Sequence, residues 1–282
     1  MQQYLSLLKK VMDEGADRET RNGKTRAMFG LQMRFNMADG FPAMTTKKLA
    51  WKAVKSELLW FIEGSGDDNR LKELNASERT IWTDNSEAPY WAPKAKFPGD
   101  LGRVYGVQWR AWRKPDGTTV DQLAEVIEKI KKDPTDRRLI VSAWNPGELA
   151  EMALPPCHMF FQFFVDPSDK EGEPGKLSLF MHQRSCDVFL GVPFNIASYS
   201  LLLHMVAQVA GLKAHEFVHS LGDVHIYHDH FDAVKEQLAR EPYPLPALKL
   251  NPNVKNINDF KMEDIELEGY QSHPTIKAKM AV

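Results

Sequence analysis

Cys157 is the residue whose neighbours best suit it to act as a nucleophile. It follows Pro155 and Pro156 and precedes His158 and an apolar run at residues 159–165. Proline fixes its own φ and restricts the residue before it, so the thiol is expected on a stiff backbone at the head of a strand. A thiolate is the reactive form of cysteine, and nearby arginines stabilise it. The alternative is a small buried apolar residue, which is the commoner role of an unpaired cysteine.

Glu57 and three arginines are further candidates for site chemistry. Glu57 falls among the apolar positions of a predicted helix, and a carboxylate is rarely fully buried without a partner. It is either a surface residue or an active-site acid, because buried acids cluster at active sites. Arg21 lies in a polar segment with an Asn-Gly turn, and Arg137 and Arg138 follow a helix end. On their residues alone, both arginine segments are predicted to be surface loops or turns.

Histidine and cysteine usage gives little support to a metal site or a disulfide framework. Three histidines and an aspartate fall between residues 225 and 230, but side chains at a strand-to-helix junction do not automatically converge on one ion. We therefore predict no metal. The two cysteines, Cys157 and Cys186, are too few for a disulfide framework and lack the Cys-x-x-Cys spacing. Reduced thiols in a reducing compartment are the economical interpretation.

Composition narrows the class of protein. A chain of 282 residues that is 43% hydrophobic and 26% charged is typical of a globular protein with a large core, in one domain or two. A net charge of −2 argues against a global basic field for nucleic acid. We expect no apolar stretch long enough to cross a membrane, and the first residues lack a signal-peptide pattern. These observations predict a cytoplasmic protein without membrane or nucleic-acid partners.

The periodicity of apolar residues predicts the elements that must position these side chains. Helices are expected at residues 4–12, 47–64, 121–132, 195–210 and 231–240. Strands are expected at residues 29–35, 139–144, 159–165, 177–182 and 217–227. Residues 17–26 are predicted to be a loop, and residues 65–102 an irregular aromatic segment that forms a pocket wall. Helices and strands mixed without regular alternation favour an α+β fold.

Three motifs occur in order along the chain and carry a family resemblance. They are Pro-Cys-His at residues 156–158, Gln-Arg-Ser-Cys-Asp at 183–187 and Phe-Asn-Ile-Ala-Ser-Tyr at 194–199. Supporting segments are Glu-Leu-Leu-Trp at 57–60, Val-Tyr-Gly at 104–106, Arg-Arg at 137–138 and His-Ile-Tyr at 225–227. The sequence resembles thymidylate synthase over nearly its whole length. The resemblance implies a single α+β domain at residues 1–282, whose large mixed β-sheet is flanked by helices and forms a homodimer interface.

The same resemblance implies a reaction and a set of site residues. The family transfers a one-carbon unit and a hydride from 5,10-methylenetetrahydrofolate to C5 of dUMP, giving dTMP and dihydrofolate without a metal. The implied catalytic residues are Cys157, Glu57, Tyr105, His158, Arg184 and Asp187. The implied dUMP contacts are Arg21, Arg137, Arg138, Arg184, Ser185, Asp187, Asn195, His225 and Tyr227. The implied folate contacts are Lys47, Ile81, Trp82, Asp187, Leu190, Gly191, Phe194 and Val282.

The resemblance also implies a role for most of these side chains. Cys157 would add to C6 of the uracil, which divides one hard substitution into easier steps. Asn195 would pair with the pyrimidine edge, where cytosine-specific relatives have an acid. Arg137 and Arg138 would reach the phosphate from the partner subunit of the homodimer. Val282 would belong to a mobile C-terminus that closes the site and excludes water.

Several positions depart from the family pattern and leave alternatives open. Thr-Arg-Asn-Gly at residues 20–23 keeps the arginine of the phosphate loop but changes its supports, and His182 replaces a common tyrosine. Residues 49–51 lack an often-present histidine, residues 221–223 read Leu-Gly-Asp instead of Gly-Gly-Asp, and the role of the loop at 85–97 is open. One alternative is a dUMP hydroxymethylase, in which water replaces the hydride. A more distant alternative is a non-catalytic nucleotide- or RNA-binding regulator.

Overall fold

The computed structural model describes residues 1–168 and 172–279. Its α-helices are α1 (Gln2–Glu14), α2 (Trp51–Ile62), α3 (Asp68–Asn75), α4 (Thr83–Ser86), α5 (Tyr105–Arg110), α6 (Gln122–Lys132), α7 (Gly191–Ala210) and α8 (Phe231–Leu238). Its strands are β1 (Ala16–Thr20), β2 (Gly23–Asn36), β3 (Trp112–Arg113), β4 (Thr119–Val120), β5 (Ile140–Ser142), β6 (His158–Asp166), β7 (Lys176–Asp187), β8 (Lys213–Tyr227), β9 (Ala247–Leu250) and β10 (Ile265–Glu268).

A mixed six-stranded sheet organises the described residues. Its strand order is β1-β2-β8-β7-β6-β5. Strands β7 and β8 run parallel, and every other neighbouring pair is antiparallel. Helix α7 packs on β7 and β8, and α1 packs on β2. The expected α+β class, with a large mixed sheet flanked by helices, is confirmed.

The two faces of this sheet differ in burial. Side chains alternate between faces along a strand. In β7, Leu177 and Leu179 are fully buried under the helical layer, whereas Phe180, the next residue after Leu179, is only half-buried. On β6, Phe164 is 66% exposed. Apolar side chains with this exposure mark the second face as uncovered in a single chain.

Helix α7 is the apolar centre of the helical layer. It ends at Gly211, whose φ of 72° lies in the left-handed region that favours glycine. By length and composition α7 could cross a membrane, so the expectation that the chain has no such stretch is wrong. However, 83% of its apolar window is buried inside the fold. The helix is therefore a core element.

Residues 17–26 form a β-hairpin, so the predicted loop is wrong. Strands β1 and β2 pair up to Thr20 opposite Gly23, and Arg21 lies in the turn between them. Gly23 has a φ of 119°, which suits glycine alone. Every residue of β1 is exposed, so the sequence carried no apolar alternation that would indicate a strand.

Residues 65–102 contain α3 and α4, so the prediction of an irregular segment is wrong in part. Asp68 is fully buried, accepts hydrogen bonds from the hydroxyls of Thr80 and Thr83, and pairs with Lys72 at 3.1 Å. This carboxylate joins the two short helices. The segment is thereby held as a fixed wall instead of a free loop.

The remaining predicted elements are confirmed in position, with shifted boundaries. Helix α2 begins at Trp51 instead of residue 47, because residues 45–48 form a turn. Helix α7 begins at Gly191, before the predicted residue 195. Strand β7 continues past residue 182 to Asp187. This extension carries the polar motif at 183–187 into the sheet.

Candidate active site

Cys157 lies immediately before β6, and its backbone N–H and its carbonyl each make a hydrogen bond. Its backbone N–H donates to the Tyr105 hydroxyl at 2.7 Å, and its carbonyl accepts from the Arg184 backbone N–H at 2.8 Å. The first contact ties the cysteine to α5 and the second ties it to β7. The stiff setting predicted from the preceding prolines is thus reinforced by two distant elements.

Arg184 supplies positive charge beside this cysteine. Its Nε donates to the Pro156 carbonyl at 2.8 Å and its Nη2 to the Pro155 carbonyl at 2.9 Å, while the guanidinium lies 5.1 Å from the Trp144 ring centroid. Burial raises the pKa of the Cys157 thiol, although the Arg184 charge and a hydrogen bond with Tyr105 act in the opposite direction. The thiol is therefore protonated near neutral pH in the ligand-free chain.

Glu57 is buried on α2 beneath an aromatic cluster. Its Oε1 accepts a hydrogen bond from Trp82 Nε1 at 2.7 Å, and Trp82 packs edge-on against Tyr105 at 5.7 Å. Burial raises the pKa of Glu57 from 4.5 to about 7, against the opposing effect of the Trp82 hydrogen bond. A carboxyl with this pKa can both donate and accept a proton near neutral pH. The interpretation of Glu57 as a surface residue is therefore wrong.

Replacing Glu57 by Gln is expected to remove a pH-dependent loss of stability. The folded chain holds the Glu57 proton more tightly than the unfolded chain, because its pKa is raised from 4.5 to about 7. The free energy of unfolding must then fall as pH rises through this window. Gln stays neutral and still accepts from Trp82. Urea unfolding is used to measure the free energy of unfolding of the variant and of wild type. The difference, variant minus wild type, should grow by about 2–3 kcal/mol from pH 5 to pH 8. A pH-independent difference would contradict the prediction.

His158, Asn195 and Tyr199 form a buried hydrogen-bonded chain. His158 Nδ1 lies 2.9 Å from the Tyr199 hydroxyl, and His158 Nε2 lies 3.2 Å from the Asn195 amide nitrogen. Burial lowers the pKa of His158 from 6.5 to about 3. A neutral imidazole has one donor and one acceptor nitrogen, so Nε2 accepts from Asn195 and Nδ1 donates to Tyr199. Tyr199 is not among the site residues that the resemblance implies, although it follows Asn195 by one helical turn.

A cavity of about 280 Å³ opens between the β1–β2 turn and the ends of β7 and β8. Arg184 and Ser185 of β7 line it together with Arg21 of the turn. The other lining residues are Thr20, Asn22, Thr25, Asp223, His225 and Tyr227. Arginines on two separate elements, with hydroxyl groups between them, suit an anion such as a phosphate ester.

A second cavity, of about 490 Å³, adjoins the first and shares Arg21 and Asn22 with it. Ile81 and Trp82 form part of its wall. Its other lining residues are Asp84, Asn85, Ala88, Pro89, Tyr90 and Leu154. The prediction that residues 65–102 form a pocket wall is confirmed, and part of the loop at 85–97 belongs to that wall.

One comparison with known proteins matches almost the whole chain. The protein-family model described as Thymidylate synthase matches residues 2–282. The chain belongs to the thymidylate synthase family. Members of this family are typically methyltransferases that bind dUMP and a folate. Within residues 1–168 and 172–279, no group of three or more His, Cys, Asp or Glu side chains is arranged to hold a metal ion.

The start of α7 brings together most of the folate contacts implied by the family. Asp187 Oδ1 accepts from the backbone N–H groups of Phe189 and Leu190, each at 3.0 Å, and so fixes the entry to the helix. Leu190 immediately precedes the helix, and Gly191 and Phe194 lie in its first turn. Lys47 donates to the Phe189 carbonyl and lies 3.6 Å from that ring's centroid. Burial lowers the pKa of Lys47 from 10.5 to about 8, with Asp187 opposing.

Two sets of implied site residues are not brought into this cluster. Arg137 and Arg138 are exposed before β5, at the opposite edge of the sheet from Arg21. The Arg137 carbonyl accepts a hydrogen bond from the Gln162 side chain at 3.3 Å. Gln162 lies on β6, five residues, or about 17 Å, from Cys157. An arginine side chain cannot span that distance within one chain. Val282 lies outside the described residues.

Proposed function

We propose that the chain methylates dUMP reductively to dTMP, with 5,10-methylenetetrahydrofolate as the one-carbon and hydride donor and dihydrofolate as the second product. One observation carries the proposal beyond family membership. The Arg184 side chain donates to the carbonyls of Pro155 and Pro156, the two residues before Cys157. The same side chain lines the smaller cavity, called the cationic cavity below because Arg21 and Arg184 both line it. A single guanidinium thus couples a candidate nucleophile to a candidate phosphate site.

Covalent catalysis by Cys157 is the first chemical step. The sulfur bonds to C6 of the uracil, and the displaced electron pair makes C5 the carbon nucleophile for the one-carbon unit. Since burial keeps the pKa of the Cys157 thiol raised, we assign its deprotonation to the complex instead of the ligand-free chain. Arg184 stabilises the resulting thiolate, because a fixed cation in a buried site favours the charged form.

Asn195 is proposed to select uracil. With one amide N–H donated to neutral His158, Asn195 keeps a second N–H and its Oδ1. These groups complement the O4 acceptor and the N3–H donor of uracil. The orientation of the amide is fixed by His158, whose ring is in turn held by Tyr199.

Glu57 and Tyr105 are proposed to move protons on and off the base, together with His158. Glu57 has a pKa of about 7 and is therefore suited to exchange protons at neutral pH. The Tyr105 ring lies 4.3 Å from the His158 ring, so the three side chains belong to one buried cluster. Water bridging this cluster would complete the relay.

The two cavities are proposed to divide the substrates between them. The smaller takes the phosphate on Arg21, Arg184 and Ser185 and the deoxyribose on His225 and Tyr227. The larger takes part of the folate, between Ile81 and the fixed ring of Trp82. The remaining proposed folate contacts are Lys47, Asp187, Leu190, Gly191, Phe194 and Val282.

The choice between methylation and hydroxymethylation depends on whether hydride or water reaches the exocyclic carbon. Trp82 is only 5% exposed, donates to Glu57 and packs 5.7 Å from the Trp60 ring. A bulky ring held on two sides keeps water from that carbon. This arrangement favours hydride transfer over hydroxymethylation.

A homodimer is proposed to complete the site. The sheet face that carries Phe164 and Phe180 is uncovered in a single chain, and an apolar face of this kind suits a second copy. Arg137 and Arg138 stand at the sheet edge without an ion pair in the part of the chain that the structure describes. In the dimer they would reach the phosphate of the partner subunit's site.

A cytoplasmic location and a single catalytic domain complete the proposal. Cys157 and Cys186 are both free thiols. A reactive thiol of this kind is kept reduced in the cytoplasm. The sheet and the site share one core, in which α7 supplies both apolar packing and Asn195.

One incubation tests the proposal. Purified chain is mixed with dUMP and 5,10-methylenetetrahydrofolate, dihydrofolate is followed by absorbance, and the nucleotide product is identified by mass. Dihydrofolate and dTMP in equal amounts are expected. Tetrahydrofolate with hydroxymethyl-dUMP would instead identify a hydroxymethylase and overturn the shielding role of Trp82. No nucleotide product would favour a non-catalytic binding protein.

A further inference from the structure

The cationic cavity contains one carboxylate, Asp223, among its arginines and hydroxyl groups. A phosphate ester carries up to two negative charges, and an unneutralised carboxylate in the same cavity would repel it. Asp223 is not among the residues that the family resemblance implies for substrate binding. Its presence in the cavity requires a counterion that leaves Arg21 and Arg184 free for the ligand.

Arg18 is that counterion. Its Nη1 donates to Asp223 Oδ2 at 2.6 Å, and the Asp223 side chain is 35% exposed. The other carboxylate oxygen, Oδ1, lies 2.9 Å from His225 Nδ1. Arg18 and His225 therefore occupy both oxygens of Asp223, and Arg21 and Arg184 stay free for the ligand. Arg18 itself does not line the cavity.

The ion pair also joins two elements that carry substrate contacts. Arg18 lies on β1, opposite Thr25 of β2, and the turn between these strands carries Arg21. Asp223 lies on β8, two residues before His225. β1 is an edge strand with every residue exposed, so polar side-chain pairs hold it on the sheet: Asp17 pairs with Arg26 and His228, and Arg18 pairs with Asp223. The Arg18–Asp223 pair joins β1 directly to β8.

We propose that Arg18 is a positioning residue for the substrate phosphate, which neutralises Asp223 and holds the Arg21 turn against β8. This inference rests on the proposed assignment of the cavity to the dUMP phosphate. Arg18 acts through Asp223 and does not touch the ligand. Its loss leaves the Asp223 carboxylate without its arginine counterion, which weakens anion binding without altering the chemistry at Cys157.

The test measures binding and turnover separately. Arg18→Ala and the double variant Arg18→Ala/Asp223→Asn are compared with wild type in calorimetric titrations with dUMP and in competition by inorganic phosphate. We expect Arg18→Ala to weaken phosphate binding by about fivefold and to raise KM for dUMP by a similar factor, with kcat within about twofold. The double variant should bind phosphate within about twofold of wild type, because the repelling carboxylate is gone.

Arg70→Ala is the matched control. Arg70 pairs with Glu63 at 2.8 Å and is similarly exposed, but it lies on α3 outside the cavity. This control should bind phosphate as wild type does. Inorganic phosphate has no sugar or base, so the titration tests the cavity even if the wild-type chain forms no dTMP.

Three results would overturn the inference. Unchanged phosphate binding by Arg18→Ala would mean that Asp223 does not oppose the anion. Binding that stays weak in the double variant would mean that Arg18 supports the hairpin structurally and not by neutralising Asp223. Failure of wild type to bind phosphate at all would overturn the assignment of the cavity, and this inference with it.

Discussion

Replacing Cys157 by Ser is expected to lower the rate of dTMP formation by at least about 10⁴-fold. A serine hydroxyl is far less acidic than a thiol, so neither Arg184 nor Tyr105 can produce the anion that attacks C6. The substitution keeps the volume and the backbone contacts of the residue, which lie on its N–H and carbonyl. Binding of dUMP should therefore stay within about threefold of wild type, since the phosphate and pyrimidine contacts do not involve the sulfur.

Cys186→Ala is the control for removal of a cysteine. Cys186 is fully buried on β7 and donates to the Gln183 carbonyl at 3.3 Å, but its thiol faces the core. Burial raises the pKa of that thiol well above its usual value, so it is inert near neutral pH. Turnover by this control should be close to that of wild type. If Cys157→Ser kept a tenth of wild-type turnover, the covalent mechanism would be wrong; if wild type itself had none, the regulator alternative would be favoured.

The elements that bury apolar residues could be predicted from the sequence. The alternation in β6 and β8 and the helical spacing in α6 and α7 reflect which side chains the core must cover. Elements made of polar residues could not be predicted in this way. Strand β1 is exposed throughout, and the end of β7 is rich in polar residues, so tertiary pairing alone defines them. The buried Asp68 that organises residues 65–102 carries no apolar signal either.

The candidate site was predictable where contacts are local or motifs are adjacent. Residues 183–187 and 194–199 come together because β7 leads straight into α7, with Asp187 fixing the junction. The contacts between Arg184 and the two proline carbonyls, and between Arg18 and Asp223, join residues far apart in sequence. No spacing rule indicates such pairs, because they depend on strand order and register.

The proposal that each site is shared between two subunits leads to a second prediction with a large expected effect. The variant Arg137→Ala/Arg138→Ala keeps Cys157 but should lose most of its dUMP affinity and turnover, since two of the proposed phosphate cations are gone. Both side chains are exposed and stand at the edge of the sheet, so their removal should leave the fold intact. Cys157→Ser should be inactive for the opposite reason, because it keeps both arginines and lacks the nucleophile.

Mixing these two inactive variants should restore activity. In a hybrid dimer, the subunit that retains Cys157 receives Arg137 and Arg138 from its Cys157→Ser partner, and one complete site results. Random exchange of a two-fold dimer at equal amounts makes half of the dimers hybrid, each with one intact site of two, so activity should approach about a quarter of wild type. The subunits are unfolded together and refolded to ensure exchange, and dihydrofolate formation is measured against each variant refolded alone.

The outcome discriminates between arginines that act across subunits and arginines that act within one. If Arg137 and Arg138 served the site of their own chain, no subunit in any hybrid would hold both the nucleophile and the arginines, and the mixture would stay as inactive as its components. The distance of about 17 Å along β6 between Gln162, which contacts Arg137, and Cys157 argues against that arrangement. A rise in activity on mixing requires a dimer in which each sheet edge supplies cations to the other subunit's cavity, and so would establish the shared site without a structure of the dimer.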